Sequence, residues 1–384
     1  MSYRYFIFLV CVALVSETVF LGQSRQFETY EISLKDNQTD MADVINKVEI
    51  VGLEETNETL LSFFEFYLPI PDGFILGSKG DKRFYFFDQE GNFRFHIESK
   101  EKGVNWFSGF SSAWIKNNRL EFFASSQSKF KLFRYDLKGN LIESINLPLD
   151  KGIRLGGMRP FNGGYVVNTV ENISIEGGVE KSAEGHAIVY LADDLSIIQY
   201  GHKDNTVPPF PIAIVPRLQV DGTKTLYKEV LNDSIFLITE DDVELFMKFD
   251  YGSEWAWNDP MHSENLGIAF SVVERSPYVN DFKTFFNKKY IYVSSIINTM
   301  RKHSLISRGN KNYINIRGDM KEMGFVPISV DDGQLVAFLQ TYSLEAFLKD
   351  VDAEKIEIRG NKSMSQLLNS ENPVLLFLDF TLDE

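Results

Sequence analysis

An all-β fold made of repeated hairpins is predicted by three observations on the sequence. The stretch Phe84–Glu98 (FYFFDQEGNFRFHIE) is typical of strand, turn and strand, because aromatic residues recur with the period of two that a pleated strand requires. Its turn contains Asp88, Gly91 and Asn92, which bond nearby backbone or tolerate a positive φ. The same unit returns in KLFRYDLKGNLIESINL, where Asp136 lies 48 residues after Asp88. A hairpin repeated near that spacing favours a β-propeller of four-stranded blades.

The rest of the chain divides into six such units, so we predict a six-bladed β-propeller with four-stranded antiparallel blades. We assign strand Val48–Leu53 to the first blade and strand Leu266–Glu274 to the fifth. The alternating segment Thr29–Lys35 is expected to pair with C-terminal strands and complete the last blade, which would remove an open sheet edge. Two short helices are predicted in the last blade, Ser343–Lys349 and Ser363–Leu368, and the second begins with a capping-box pattern.

The first 24 residues are predicted to be a signal peptide. Arg4 supplies a positive charge, and the apolar run Phe6–Val15 of ten residues is too short to span a bilayer. Gly22 and Ser24 are small residues suited to a cleavage site that follows Ser24. An uncleaved anchor is the alternative. Residues 25–384 are then expected to form a single propeller domain and a monomer.

The number of cysteines indicates in which cellular compartment the protein is expected. Cys11 is the only cysteine, so the mature chain would have no disulfide framework, thiolate zinc site or thiol nucleophile. Export without disulfides favours a bacterial envelope protein, in the periplasm or at the cell surface.

Composition excludes some partners. With 44% hydrophobic residues and 33 Phe the chain has ample material for a core, so disorder is not predicted. The 39 basic and 54 acidic residues give a formal charge of −15, which would repel phosphate backbones and argues against nucleic-acid binding. Paired acids occur, including Asp193-Asp194, Asp241-Asp242 and Asp331-Asp332, and these fall at predicted turns. No cofactor is predicted, and calcium is the alternative to the turn interpretation.

The sequence resembles the bacterial exported six-bladed β-propeller family, distant relatives of NHL-repeat propellers. The resemblance covers roughly residues 29–384 and is carried by FYFFDQEGNFRFHIES, NDSIFLITEDDVELFMKFDYG and ENPVLLFLDF, in that order. It implies a signal-bearing propeller outside the cytoplasm, without a common reaction. Members often carry a Gly-Pro-Gly-Glu loop after the first hairpin. Glu101–Trp106 occupies that place here without the motif, so a role tied to that loop does not transfer.

Catalytic motifs are absent from the sequence. It contains no Gly-x-Ser-x-Gly elbow, no Walker loop and no Gly-x-Gly-x-x-Gly. The five histidines do not have the spacing of a zinc helix. The sequence therefore favours a non-catalytic protein over an enzyme.

A binding site is predicted from exposed-type aromatic residues in connections between strands. Trp255 and Trp257 can form a stacking platform for a sugar or peptide, or can pack between blades, which we favour. Together with Trp106, Arg159 and His262 they form the predicted ligand-binding set, on the expectation that these segments reach one face around the central channel.

The predicted function is a binding or scaffold module of the cell envelope that offers this face to a protein, peptide or glycan. The alternative is a metal-dependent lyase or hydrolase with its site at the central channel. Inward-facing histidines or acids that converge on the axis would distinguish the second hypothesis from the first.

Overall fold

The computed structural model describes residues 27–382, except for residues 62, 101–102, 104–105, 127–128, 148–153, 171–185, 204–215, 265, 299 and 319–323. The predicted signal peptide, including Cys11, lies outside the described residues. Among the described helices, none has both the length and the apolar composition that crossing a bilayer requires.

Six sheets form a ring, which confirms the predicted six-bladed β-propeller. Each sheet contributes one innermost strand, and each innermost strand contacts that of the next sheet until the sixth meets the first. These innermost strands are β4 (Phe66–Ile70), β8 (Gly109–Lys116), β12 (Arg154–Phe161), β16 (Leu218–Asp221), β20 (Val279–Phe286) and β24 (Phe325–Asp331). They surround the propeller axis.

The remaining elements build outwards from this ring. Blade 1 adds β5 (Gly73–Ser78), β6 (Arg83–Asp88) and β7 (Phe93–Glu98); blade 2 adds β9 (Arg119–Ser126), β10 (Lys129–Asp136) and β11 (Leu141–Asn146). Blade 3 adds β13 (Gly164–Val170), β14 (His186–Leu191) and β15 (Ile197–Lys203). Blade 4 adds β17 (Lys224–Lys228), β18 (Ser234–Ile238), β19 (Val243–Asp250) and, on its outer edge, β1 (Glu28–Glu31). Blade 5 adds β21 (Tyr290–Ile297), β22 (Met300–Ser307), β23 (Tyr313–Ile316) and the outer β2 (Gln38–Thr39). Blade 6 adds β25 (Gln334–Leu339), β27 (Val374–Phe380), β3 (Ile45–Gly52) and the outer β26 (Ile356–Arg359).

The described part of the chain contains five short α-helices between the strands. They are α1 (Met41–Val44), α2 (Met261–Glu264), α3 (Leu266–Arg275), α4 (Leu344–Leu348) and α5 (Met364–Leu368). The two helices predicted in the last blade are confirmed as α4 and α5. In the capping box of α5, Ser363 Oγ accepts from the Gln366 N–H at 3.3 Å, and Gln366 Oε1 accepts from the Ser363 N–H at 2.7 Å.

The repeated turn is confirmed atom by atom. Asp88 Oδ1 accepts from the backbone N–H groups of Glu90 and Asn92 at 2.9 Å each, and Asp88 Oδ2 accepts from Asn92 Nδ2 at 2.8 Å. The turn at Asp136 makes the same three bonds with Lys138 and Asn140. The intervening glycine has a φ of 84° in the first turn and 87° in the second, a conformation that side chains with a Cβ seldom adopt.

A strand from near the N-terminus completes the last blade, as predicted, but this strand is β3 and not the predicted segment Thr29–Lys35. β3 pairs antiparallel with β27 and parallel with β26, so the segment assigned to the first blade as Val48–Leu53 belongs to the last. The segment Thr29–Lys35 instead overlaps β1, which pairs in parallel with β19 on blade 4. Both segments alternate, so the local pattern does not choose the partner. Both segments are also buried, but in different cores: Val48 and Ile50 pack with blades 5 and 6, whereas Tyr30 packs with blades 4 and 5.

The predicted strand Leu266–Glu274 was also wrong, because this segment forms α3. A short apolar run fits a buried strand or a helix, and its period alone does not separate the two. Ala269 and Val272 are buried and lie three residues apart, which places them on one face of a helix.

Aromatic side chains fill the space between neighbouring blades. Phe84 on blade 1 has its ring centroid 4.3 Å from that of Phe110 and 4.7 Å from that of Phe122, both on blade 2. Burial of large side chains contributes roughly 1.5–3 kcal/mol each. The many phenylalanines therefore stabilise the ring through the contacts between its blades.

We expect Ile50→Ala in the closing strand to lower the free energy of unfolding by about 2–5 kcal/mol, because it opens a cavity in the core formed by blades 5 and 6. Urea unfolding followed by circular dichroism measures this. The control is Ile198→Ala on β15, whose residue is 65% exposed and whose loss should change stability by less than about 0.5 kcal/mol. If the two substitutions lowered the free energy of unfolding equally, the closing strand would not have the stabilising role assigned to it.

Candidate functional site

The propeller axis contains a cavity of about 900 Å³. It extends from Glu65, before β4, to turns that follow the innermost strands of blades 4, 5 and 6. Side chains from the innermost strands that bound it include Phe66, Leu68, Ala113, Arg159, Lys283 and Phe285. These six side chains are mainly apolar and include two cations, and Lys47, Lys288 and Lys289 also line the cavity.

Arg159 comes from β12 and is the one residue of the predicted ligand-binding set that lines this cavity. Its Nη1 donates to the carbonyl oxygen of Ala113 on the neighbouring blade at 3.0 Å. Burial lowers the pKa of Arg159 to about 10, so the guanidinium remains charged at neutral pH. A single carbonyl leaves most of its five donor N–H groups for another acceptor.

Lys283 comes from β20 and was missed by the sequence reasoning. Its Nζ lies 4.5 Å from the ring centroid of Phe285, within range of a cation–π contact. Burial, followed by the nearby cations Arg301, Lys79 and Arg159, lowers the pKa of Lys283 to about 7. The three charges that act on this ammonium are therefore all positive.

Two buried cations elsewhere in the chain, Arg134 and Lys228, are paired with carboxylates. Arg134 lies 3.2 Å from Glu121, and Lys228 lies 2.6 Å from Asp281. Within the described ranges, by contrast, neither Arg159 nor Lys283 has a carboxylate within ion-pair distance. As far as the described residues go, these two cations therefore have no counter-charge in contact with them.

Carboxylates do line the cavity, but most are engaged by other groups. Four of them have partners: Glu49 with Lys47 and Arg359, Asp221 with Arg308, Asp379 with Asn46, and Glu65 with the backbone N–H of Lys79. Cations therefore compensate the charge of Glu49 and Asp221, whereas Asp379 and Glu65 accept hydrogen bonds from neutral donors.

The other predicted residues lie outside the cavity lining. Trp255 is 5% exposed and stacks on Tyr251 with a centroid distance of 5.7 Å. Trp257 Nε1 donates to the carbonyl oxygen of Asn280 at 2.8 Å, and His262 bonds the carbonyl oxygen of Ala256. These three residues form a local cluster beside the start of β20, in agreement with the packing interpretation of the two tryptophans.

Trp106 is half-buried in the connection between β7 and β8, where its backbone N–H donates to the carbonyl oxygen of Gly103 at 3.2 Å. The structure therefore does not gather the predicted set at one place. Lys283 could have been found from the sequence, since it is a single lysine in the strand-like run VNDFKTFF. The sequence does not show that this run is the innermost strand of blade 5, which places Lys283 beside the axis.

Metal-ligating side chains do not cluster in the described part of the chain, where no group of three or more His, Cys, Asp or Glu could hold an ion. The paired acids serve turns. Asp194 Oδ1, for example, accepts from the Ser196 N–H at 2.9 Å. This geometry is that of a turn carboxylate.

We expect Lys283→Met to stabilise the ligand-free protein at pH 6, because it removes a cation that has no counter-charge. The gain should shrink at pH 9, since folded Lys283 loses its proton near pH 7 whereas the unfolded lysine keeps it up to about 10.5. Urea unfolding at both pH values measures the difference from wild type. The control is Lys129→Met at an exposed position of β10. A gain that is the same at both pH values would contradict this account.

Comparisons with known proteins agree with the fold. A candidate exported protein from Bacteroides fragilis is similar over 93% of this chain and 100% of its own, with 16% identity and a TM-score of 0.70. A member of the DUF4221 family from Bacteroides vulgatus is similar over 88% of this chain and 98% of its own, with 11% identity and a TM-score of 0.51. No curated protein matches. At these identities the two likenesses show the propeller fold alone. The family itself is shown by a profile that matches residues 27–379: the chain belongs to the family described as Domain of unknown function (DUF4934).

Proposed function

We propose that this chain is a non-catalytic binding propeller that holds its ligand in the axial cavity. The observation that supports the proposal is the cavity of about 900 Å³ with Arg159 and Lys283 in its wall. A concave, mainly apolar site with a few placed polar groups is the usual form of a ligand pocket. The wall comes from several blades, so the closed ring holds the site in a fixed shape.

The ligand is proposed to be a peptide, a glycan or a segment of a protein. A channel along an axis suits an elongated molecule better than a flat face does. The predicted signal peptide and the likeness to a candidate exported protein support a place outside the cytoplasm, in the periplasm or at the bacterial surface.

Blocking the mouth of the cavity tests the proposal. Val220 lines the cavity and is 46% exposed, so Val220→Trp narrows the opening without disturbing the core. We expect this variant to lose at least about tenfold in affinity for ligands found among neutral oligosaccharides, acidic oligosaccharides and peptides, measured by isothermal titration calorimetry. The matched control is Ile198→Trp, at an exposed position outside the cavity lining.

Two results would overturn the proposal. Ligands that bind both tryptophan variants as well as wild type would place the site elsewhere on the molecule. One tightly held metal ion per chain after dialysis, measured by elemental mass spectrometry, together with metal-dependent hydrolysis or elimination, would favour the lyase or hydrolase hypothesis instead.

A further inference from the structure

We propose that Arg159 and Lys283 form a subsite for an oxyanion, a carboxylate, sulfate or phosphate group of the molecule bound in the axial cavity. The proposal deepens the proposed function and rests on it, because it assigns a chemical class to the same ligand.

The first argument is geometric. Arg159 projects from blade 3 and Lys283 from blade 5, and both line the one axial cavity. A guanidinium offers paired N–H donors that match an oxyanion, and an ammonium adds a compact charge with three donors. Two donors on separate blades can therefore approach one anionic group from two sides.

The second argument concerns charge. The chain as a whole has a formal charge of −15, and the buried cations Arg134 and Lys228 have carboxylate partners. Arg159 and Lys283 are half-buried, and a desolvated cation without a carboxylate partner costs free energy, a cost that binding sites often carry. An anionic ligand would supply the missing counter-charge.

The third argument concerns the surroundings. Phe66, Leu68 and Phe285 provide apolar walls beside the two cations. Apolar walls lower the local dielectric constant, which strengthens the attraction between a cation and a bound anion. Lys79 and Arg301 add to the positive field, since both act on the Lys283 ammonium.

Calorimetric titration of the mature chain with sulfate, phosphate and galacturonate at pH 6 and low ionic strength tests this subsite. We expect saturable binding to wild type. Arg159→Gln and Lys283→Gln should each weaken it by at least about tenfold, the loss of one charged hydrogen bond. The double variant should show no saturable binding, and the control Lys129→Gln should stay within about twofold of wild type. Comparing the three probes shows which oxyanion the subsite prefers.

Circular dichroism identifies variants that fold poorly. Arg159→Lys is a second test, because it keeps the positive charge but loses the planar guanidinium with its paired N–H donors. It should bind more weakly than wild type and more tightly than Arg159→Gln. The subsite is overturned if no probe binds wild type at millimolar concentration, or if the double variant binds as wild type does. A neutral ligand that is blocked by Val220→Trp but unaffected by the double variant would refute the subsite while leaving the axial binding function intact.

Discussion

Pairing of β3 with β27 is the constraint on which the rest of the structure depends. A propeller without such closure would keep an open edge between its first and last blades. Here the last blade takes its fourth strand from near the N-terminus, and β1 and β2 run along the outer edges of blades 4 and 5. The N-terminal segment thus links three consecutive blades, and the shape of the axial cavity depends on that linkage.

Charged side chains inside the ring lie in two kinds of environment. Between blades, aromatic side chains pack, and one buried network pairs Arg134 with Glu121 and Tyr165. At the axis, Arg159 and Lys283 face a cavity without a carboxylate partner among the described residues. Stability alone would favour neutral side chains there, so these two cations support the proposed binding site at the axis.

Much of the fold could be predicted from the sequence, because blades repeat local signals. The turn at Asp88 and its copy at Asp136 are set by bonds within five residues, and the capping box of α5 is equally local. The partner of β3 could not be predicted, since it lies more than 300 residues away and the local pattern of β3 does not specify it. For the site, the sequence predicted Arg159 but missed Lys283, whose importance arises from the convergence of different blades. The tryptophans were conspicuous in the sequence, yet Trp255 is part of the core.

The central claim is that the axis of this propeller carries a positively charged site that awaits an anionic ligand. The most direct measurement is a crystal structure after a selenate soak, with data collected at the selenium absorption edge. The account predicts an anomalous difference peak in the axial cavity, within hydrogen-bond distance of both Arg159 and Lys283. Peaks confined to the outer surface, with an axis that holds no selenate, would contradict it.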